Sequence, residues 1–417
     1  MKIPTIIGTI LLMFICRSLS ADPVRVIFDT DIGSDCDDAG AMAVLHKLAD
    51  RGEARILATI FSSRGDVGDN RFGPAVVDAI NTWYRRPNLP IGANKGHDVG
   101  DPGARRYLRQ VGADQRRFGH DIKTTDDVPD MIDVYRQVLA GQPNKKVVIV
   151  TVGHPIALYH LLRSGPDDHS PLPGKELVRH KVRCWVAMGG GNDTRPSSPW
   201  NLAHNGMANY IGQLLEQWPV DYFNSGDGAD IQTGRELPAT PADNPVRECY
   251  RLWLGKTRDS RSSWDELAVL FAVRGERYFK VDAHGGTKVT DGGNKIYWDP
   301  SHDNPLHHRV MIDTDKIGKR ALEKVIARLM TEPPTGPEPN DGDDTYTENG
   351  QEDFLQFFRR GSRFGEPLLA KTWNDIPGDF SGVKGYVVEW NTKPVPSPSS
   401  FVCLLGMGLV WLLRRRS

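Results

Sequence analysis

Val24-Arg-Val-Ile-Phe-Asp29-Thr-Asp31-Ile-Gly-Ser-Asp35-Cys-Asp37-Asp38-Ala39 joins an apolar run to five aspartates crowded into ten residues, and the helix-like Ala39–Leu48 follows at once. Carboxylates this close repel one another and raise each other's pKa, so the cluster calls for a cationic partner. Carboxylate oxygens suit a hard divalent ion such as Ca²⁺ or Mg²⁺ and offer nothing soft enough for copper or a thiolate metal. A solvated acidic turn with Asp37 or Asp38 capping the helix is the plainer reading, but one cap needs one carboxylate. The position at the end of a strand, where open α/β sheets place their ligand crevices, favours a metal site. It is not an EF-hand loop, because counting from Asp29 the fifth, sixth and twelfth places hold Gly33, Ser34 and Gly40.

Working outward, strand-like runs at Val24–Phe28, 55–61, 146–151 and 181–188 alternate with helix-like stretches at Ala39–Leu48, 75–84, 131–139 and 207–217, and 317–330 has the spacing of a closing helix. That alternation predicts an α/β fold with an open, mainly parallel sheet and helices on both faces. The 417-residue chain carries a net charge of −1, with 52 Lys and Arg against 53 Asp and Glu, so no global electrostatic pull toward nucleic acid exists. Partner choice must come from a site.

The ends read differently from the middle. Residues 1–21 have the pattern of a signal peptide: Lys2, an apolar core and the small-residue Ser18-Leu-Ser-Ala21. The main domain is then expected over 22–331, an acidic, proline-rich linker over 332–349, a small accessory segment over 350–394, and a tail over 395–417 in which Phe401–Leu413 precedes Arg414-Arg-Arg416. The tail is similar to bacterial C-terminal sorting signals of the PEP-CTERM type, although Ser397 stands where that motif has Glu; the plainer reading is a membrane anchor. Both put the domain outside the cytoplasm, periplasmic or at the cell surface. With Cys16 and Cys403 in these end segments, Cys36, Cys184 and Cys249 remain, and their spacing offers no zinc pattern.

The acidic stretch resembles the signature of the calcium-dependent nucleoside hydrolases, in an extended D-x-D-I-G-x-D-x-D-D form. The resemblance continues in order from Val26 to Ala268 through Ser62-Ser-Arg-Gly-Asp66, Val148–Val152 with Gly153-His-Pro, Met188-Gly-Gly-Gly191, Pro199-Trp-Asn201 and Ser263-Trp-Asp265-Glu-Leu-Ala268. It implies Ca²⁺ held by Asp31, Asp38, the Val152 carbonyl and Asp265, with Asp31 also the general base. Sugar or base contacts fall to Asp37, to Asp66 or Asn70, and to Asn201. The implied substrate is a purine or pyrimidine ribonucleoside or related pentosyl compound, and relatives form homo-oligomers. Asp35 is extra and is expected to cap the helix or brace the loop.

Departures bear on activity. Trp264 replaces the histidine that usually precedes the late Asp and cannot donate a proton, which leaves His120 and His204 as candidates for leaving-group acid or substrate contact. His154 is read as a loop residue beside the metal strand. Two further readings stand beside the hydrolase: a catalytically impaired sugar-binding protein on the same scaffold, and a D-x-D phosphohydrolase, which leaves Asp37, Asp38 and Asp265 unexplained.

Overall fold

The computed structural model describes residues 22–101, 107–255 and 259–335. Its strands are β1 (Val24–Thr30), β2 (Ala54–Phe61), β3 (Ile91–Ala93), β4 (Val147–Thr151), β5 (Val182–Met188), β6 (Asp221–Ser225), the two-residue β7 (Gln232–Thr233) and β8 (Arg261–Ser262), β9 (Phe279–Asp282), β10 (Gly286–Thr290), β11 (Lys295–Asp299) and β12 (His307–Ile312). Eight of them form one sheet in the order β3-β2-β1-β4-β5-β6-β12-β9, parallel throughout except for β9 against β12. The expected α/β architecture is the one observed. The expected signal segment, the accessory segment, the tail and all but the first residues of the linker lie outside the described residues.

Chain order sets where a ligand belongs. From β1 the chain steps outward through β2 to β3, then returns to β4 on the other flank of β1 and continues through β5 to β6. The connections after β1 and β4 therefore diverge to opposite sides, and the crevice opens between the carboxyl ends of those two strands. Asp29 pairs in register with Thr151, and the Val152 amide donates to the Asp29 carbonyl at 2.8 Å, so the acidic turn and the Val152–His154 turn leave the sheet side by side.

Alternation along the strands feeds two cores. Val26 and Phe28 of β1 pack with Val148, Val150 and the helices 37–50, 73–83, 264–274 and 319–331. Ile27 packs with Ile149, Trp185 and the helices 131–140, 156–163, 174–181 and 208–217. Trp185 is fully buried, lies against Trp218 and Tyr222, and donates its indole N–H to Thr151 Oγ1 at 2.8 Å.

The helix Asp37–Asp50 is buried along its whole length, polar residues included. Such a helix needs internal partners for its charges. At its far end Asp50 pairs with Arg86 at 2.9 Å and Lys47 at 3.3 Å and accepts the Thr335 amide at 2.8 Å, while Lys47 also donates to the Pro333 carbonyl at 2.8 Å. Midway, Gly40 is obligatory, because a Cβ there would collide with Glu266 Oε1 and the Tyr250 hydroxyl of the crossing helices. Cys36, Cys184 and Cys249 are buried free thiols.

Replacing Trp185 by alanine opens a cavity at the back of the sheet and removes the bond to Thr151. The expected cost is about 3–5 kcal/mol in denaturant unfolding, and a loss below about 1 kcal/mol would show that the two-core packing is misassigned.

Candidate active site

The acidic turn is held by a set of specific bonds. Thr30 Oγ1 donates to Asp38 Oδ1 at 2.5 Å and accepts the Ile32 amide at 3.1 Å, closing the loop from strand to helix. The Gly33 amide donates to the Tyr107 hydroxyl at 2.7 Å, and that hydroxyl donates to the Asp35 carbonyl at 2.5 Å. Gly33 has φ +107, and a Cβ there would lie 2.6 Å from Leu108, so only glycine fits. Asp35 is the brace expected of it: its carboxylate accepts the Cys36 amide at 2.6 Å and pairs side-on with Arg261, whose Nε lies 2.8 and 2.9 Å from the two oxygens.

Asp37 and Asp38 open the following helix, where the macrodipole favours negative charge. Asp265 opens a second helix, Trp264–Arg274, from across the cleft. One oxygen from each of the three lies within 4.8 Å of the others. All three are buried, and burial, reinforced by neighbouring carboxylates, pushes their pKa values well above the usual range. Asp31 Oδ2 and Asp265 Oδ1 are buried without a hydrogen-bond partner. Buried oxygens of Asp37, Asp38 and Asp265 meeting from two helix starts, one of them on Asp265 without a hydrogen-bond partner, with Asp31 in the same lining, fit a hard divalent cation. The mutually close set contains Asp37, which the resemblance assigned to a sugar hydroxyl; Asp31 and Val152 line the same cleft.

The opposite wall comes from the ends of β4 and β5. Asn201 is buried, and its amide donates to the Val152 carbonyl at 2.5 Å and the Met188 carbonyl at 3.1 Å, tying the two strand ends together. A carbonyl keeps a second lone pair after accepting one bond. At Gly153 a Cβ would come within 2.6 to 2.8 Å of the Asp31 amide, Asp31 Cβ and Ser62 Oγ, so the two turns touch only because this residue is glycine. His154, expected to be a bystander, is fully buried with Nδ1 3.4 Å from Asp31 Oδ2 and Nε2 3.2 Å from the Asn205 amide. Its place directly after a strand ending beside β1 was the available signal.

Between these walls lies a cleft of about 490 Å³ with three indoles in its lining, Trp200, Trp253 and Trp264. Arg261 lines it too, its guanidinium 4.8 Å from the Trp264 ring centre. Neither Arg261 nor Trp253 was singled out by sequence, because each comes from a segment without a motif.

Several expected site residues lie elsewhere. His120 is buried with Nε2 3.0 Å from the Gly112 carbonyl and does not line the cleft. Asp66 pairs with Arg64 at 3.2 Å, and Asn70 donates to the Asp101 carbonyl at 2.5 Å. His204 stacks on Trp200 and contacts the Ser198 carbonyl at 3.2 Å, one layer back from the lining. Among the described residues that line the cleft there is no histidine, tyrosine, glutamate or lysine.

No family model and no curated protein sequence matches the chain. Solved structures do. An inosine-guanosine nucleoside hydrolase aligns with a TM-score of 0.54 at 14% identity, covering 74% of this chain and 98% of its own. The fold is that of the nucleoside hydrolases. An inosine-uridine preferring nucleoside hydrolase from Bacillus anthracis aligns at 0.51 and 14% identity, over 74% of this chain and 99% of that one. A type III effector protein, XopQ, complexed with adenosine diphosphate ribose, aligns at 0.50 and 14%, over 74% and 92%.

The raised carboxyls couple stability to pH. Burial lifts Asp29 and Glu266 to about 8, so the folded protein retains protons that the unfolded chain releases near pH 4. The stability they confer is complete at low pH and is lost as pH rises through about 8. Calorimetry without divalent ions should show a melting temperature that falls from about pH 5 to pH 8, with added Ca²⁺ raising it more at the higher pH because ligands must be deprotonated. A Ca²⁺ effect equal at both pH values would contradict this linkage.

Proposed function

We propose that this protein is an exported, calcium-dependent hydrolase that cleaves the N-glycosidic bond of a pentosyl compound. The observation that carries the reading is the convergence of Asp37, Asp38 and Asp265 oxygens, with Asp31 in the same lining, at the sheet's switch point. The nucleoside hydrolase structures named above and the effector that holds adenosine diphosphate ribose support a pentosyl ligand for a cleft on this fold.

Asp31, Asp38, Asp265 and the Val152 carbonyl would hold the cation, and Asp37, whose oxygen lies close to those of Asp38 and Asp265, lines the same site. When bound, it supplies positive charge that grips vicinal sugar hydroxyls and acidifies a water. The chain's own residues do the rest. Asp31, with Oδ2 unpartnered and His154 behind it, accepts the proton of the attacking water. Asp37 accepts from a sugar hydroxyl, and Asn201 fixes the Val152 carbonyl beneath the sugar. The indoles cover the planar leaving group and exclude water from the developing oxocarbenium centre.

The lack of a histidine, tyrosine, glutamate or lysine in the lining, beyond the aspartates gathered at the cation site, gives specific support to a second reading, a protein that binds such compounds and turns them over poorly. A p-nitrophenyl riboside, whose leaving group departs without a proton, separates the two. The full-length chain should hydrolyse it with Ca²⁺ and stop on chelation. Asp31→Asn should lower kcat by about 10²–10⁴ while calcium stoichiometry stays intact, whereas Asp38→Ala should lose the metal as well. Calcium retained at full affinity by Asp38→Ala would overturn the assignment, and tight pentose binding without any turnover would favour the second reading.

A further inference from the structure

Building on the hydrolase reading, we propose that the cleft is suited to N-ribosides whose leaving group is already a cation, such as a ribosyl pyridinium, in preference to neutral purine or pyrimidine nucleosides.

The first ground is the proton. A neutral base departs with an extra electron pair and normally needs a positioned acid, yet the described lining residues offer no histidine, tyrosine, glutamate or lysine, and the aspartates among them are gathered at the cation site or, for Asp35, matched to Arg261. Arg261 does not give up a proton at ordinary pH. His154 is sealed behind Asp31, His120 is bonded to the Gly112 carbonyl, and His204 sits against Ser198. A pyridinium ring needs no acid, because it becomes neutral as it leaves.

The second ground is charge. Five aspartates in the lining face one guanidinium, and that guanidinium is already matched side-on by Asp35. Carboxylate oxygens therefore dominate the polar part of the lining, a surface that accommodates a cationic ring better than a phosphorylated one. The third ground is the aromatic wall. Indole faces are the strongest aromatic platforms for a cation, and the ring of Trp264 already carries one, Arg261, at 4.8 Å. Trp200, stacked on His204, is 49% exposed at the rim, where its open side can cover an arriving ring.

The reaction balances without a co-reactant. Water oxygen bonds to the anomeric carbon, and its proton passes to Asp31 and then to solvent. The C–N bond breaks with its electron pair remaining on the ring nitrogen, giving free sugar, a neutral pyridine and one proton. Loss of the ring's charge also removes its attraction to the wall, which assists release.

The test compares full-length protein with Ca²⁺ on the β-riboside of nicotinamide, inosine, uridine and p-nitrophenyl riboside. Because a positioned acid contributes about 10²–10⁴ in rate, the expected kcat/KM for the pyridinium riboside exceeds those for inosine and uridine by at least about 100-fold. Independently of turnover, calorimetric titration with the N-methylnicotinamide cation should show binding about tenfold or more tighter than neutral nicotinamide. Trp200→Ala, at a half-exposed position that spares folding, should reduce that ratio. Inosine or uridine within tenfold of the pyridinium riboside, or equal binding of cation and neutral ring, would overturn the inference. Cleavage of p-nitrophenyl riboside without the pyridinium riboside would overturn it while leaving the hydrolase reading intact, and cleavage of neither would remove both.

Discussion

Like charges held out of water are the constraint around which this protein is organised. Asp31, Asp37, Asp38 and Asp265 are each almost fully buried, and burial pushes the pKa values of Asp37, Asp38 and Asp265 well above the usual range. Their cost is reduced by helix starts beneath Asp37 and Asp265, by the Thr30 hydroxyl on Asp38, and by confinement of Arg261 to Asp35, but oxygens of Asp31 and Asp265 remain without partners. An arrangement so incomplete in itself is complete with a cation, and this is why the fold, the site and the chemistry form one problem. The sheet contributes the place: only where β1 and β4 part does a crevice open between strand ends, and both carry their acceptors to that spot.

The parts of this architecture that were readable in the sequence share a physical trait, namely dense local signal. β1, β2, β4 and β5 are runs of Val, Ile, Leu and Ala flanked by polar turns, and their expected limits fall within two residues of those observed. By contrast β3 has three residues, β6 has two adjacent aromatics flanked by polar residues, and β12 begins with two histidines, so their strand character comes from neighbours in the sheet and not from composition. The helix Asp37–Asp50 starts two residues before its apolar pattern because its first turn is the acidic pair itself.

The same distinction runs through the site. Asp31, Asp38, Val152 and Asp265 could be proposed because the resemblance to the nucleoside hydrolase motifs named them, and each stands at a strand end or helix start that the local pattern also marks. Arg261 and Trp253 reach the cleft from regions where only tertiary packing decides what faces inward. His120, singled out for its local context, lies against a backbone carbonyl of its own neighbourhood and away from the cleft lining, a common place for a buried imidazole. The lining that results is rich in aromatic faces and carboxylates and holds no histidine, tyrosine, glutamate or lysine, which narrows its chemistry more than any single motif does.

One helix also settles an orientation. Asp37 and Asp38 stand at its beginning, while Asp50 and Lys47 at its finish grip the backbone of Pro333 and Thr335, about 20 Å away at 1.5 Å per residue. Thr335, the last described residue, thus lies at the pole opposite the acidic mouth. The ionic knot that Asp50 makes with Arg86 and Lys47 there would absorb a displacement of this end of the helix before it reached the carboxylates.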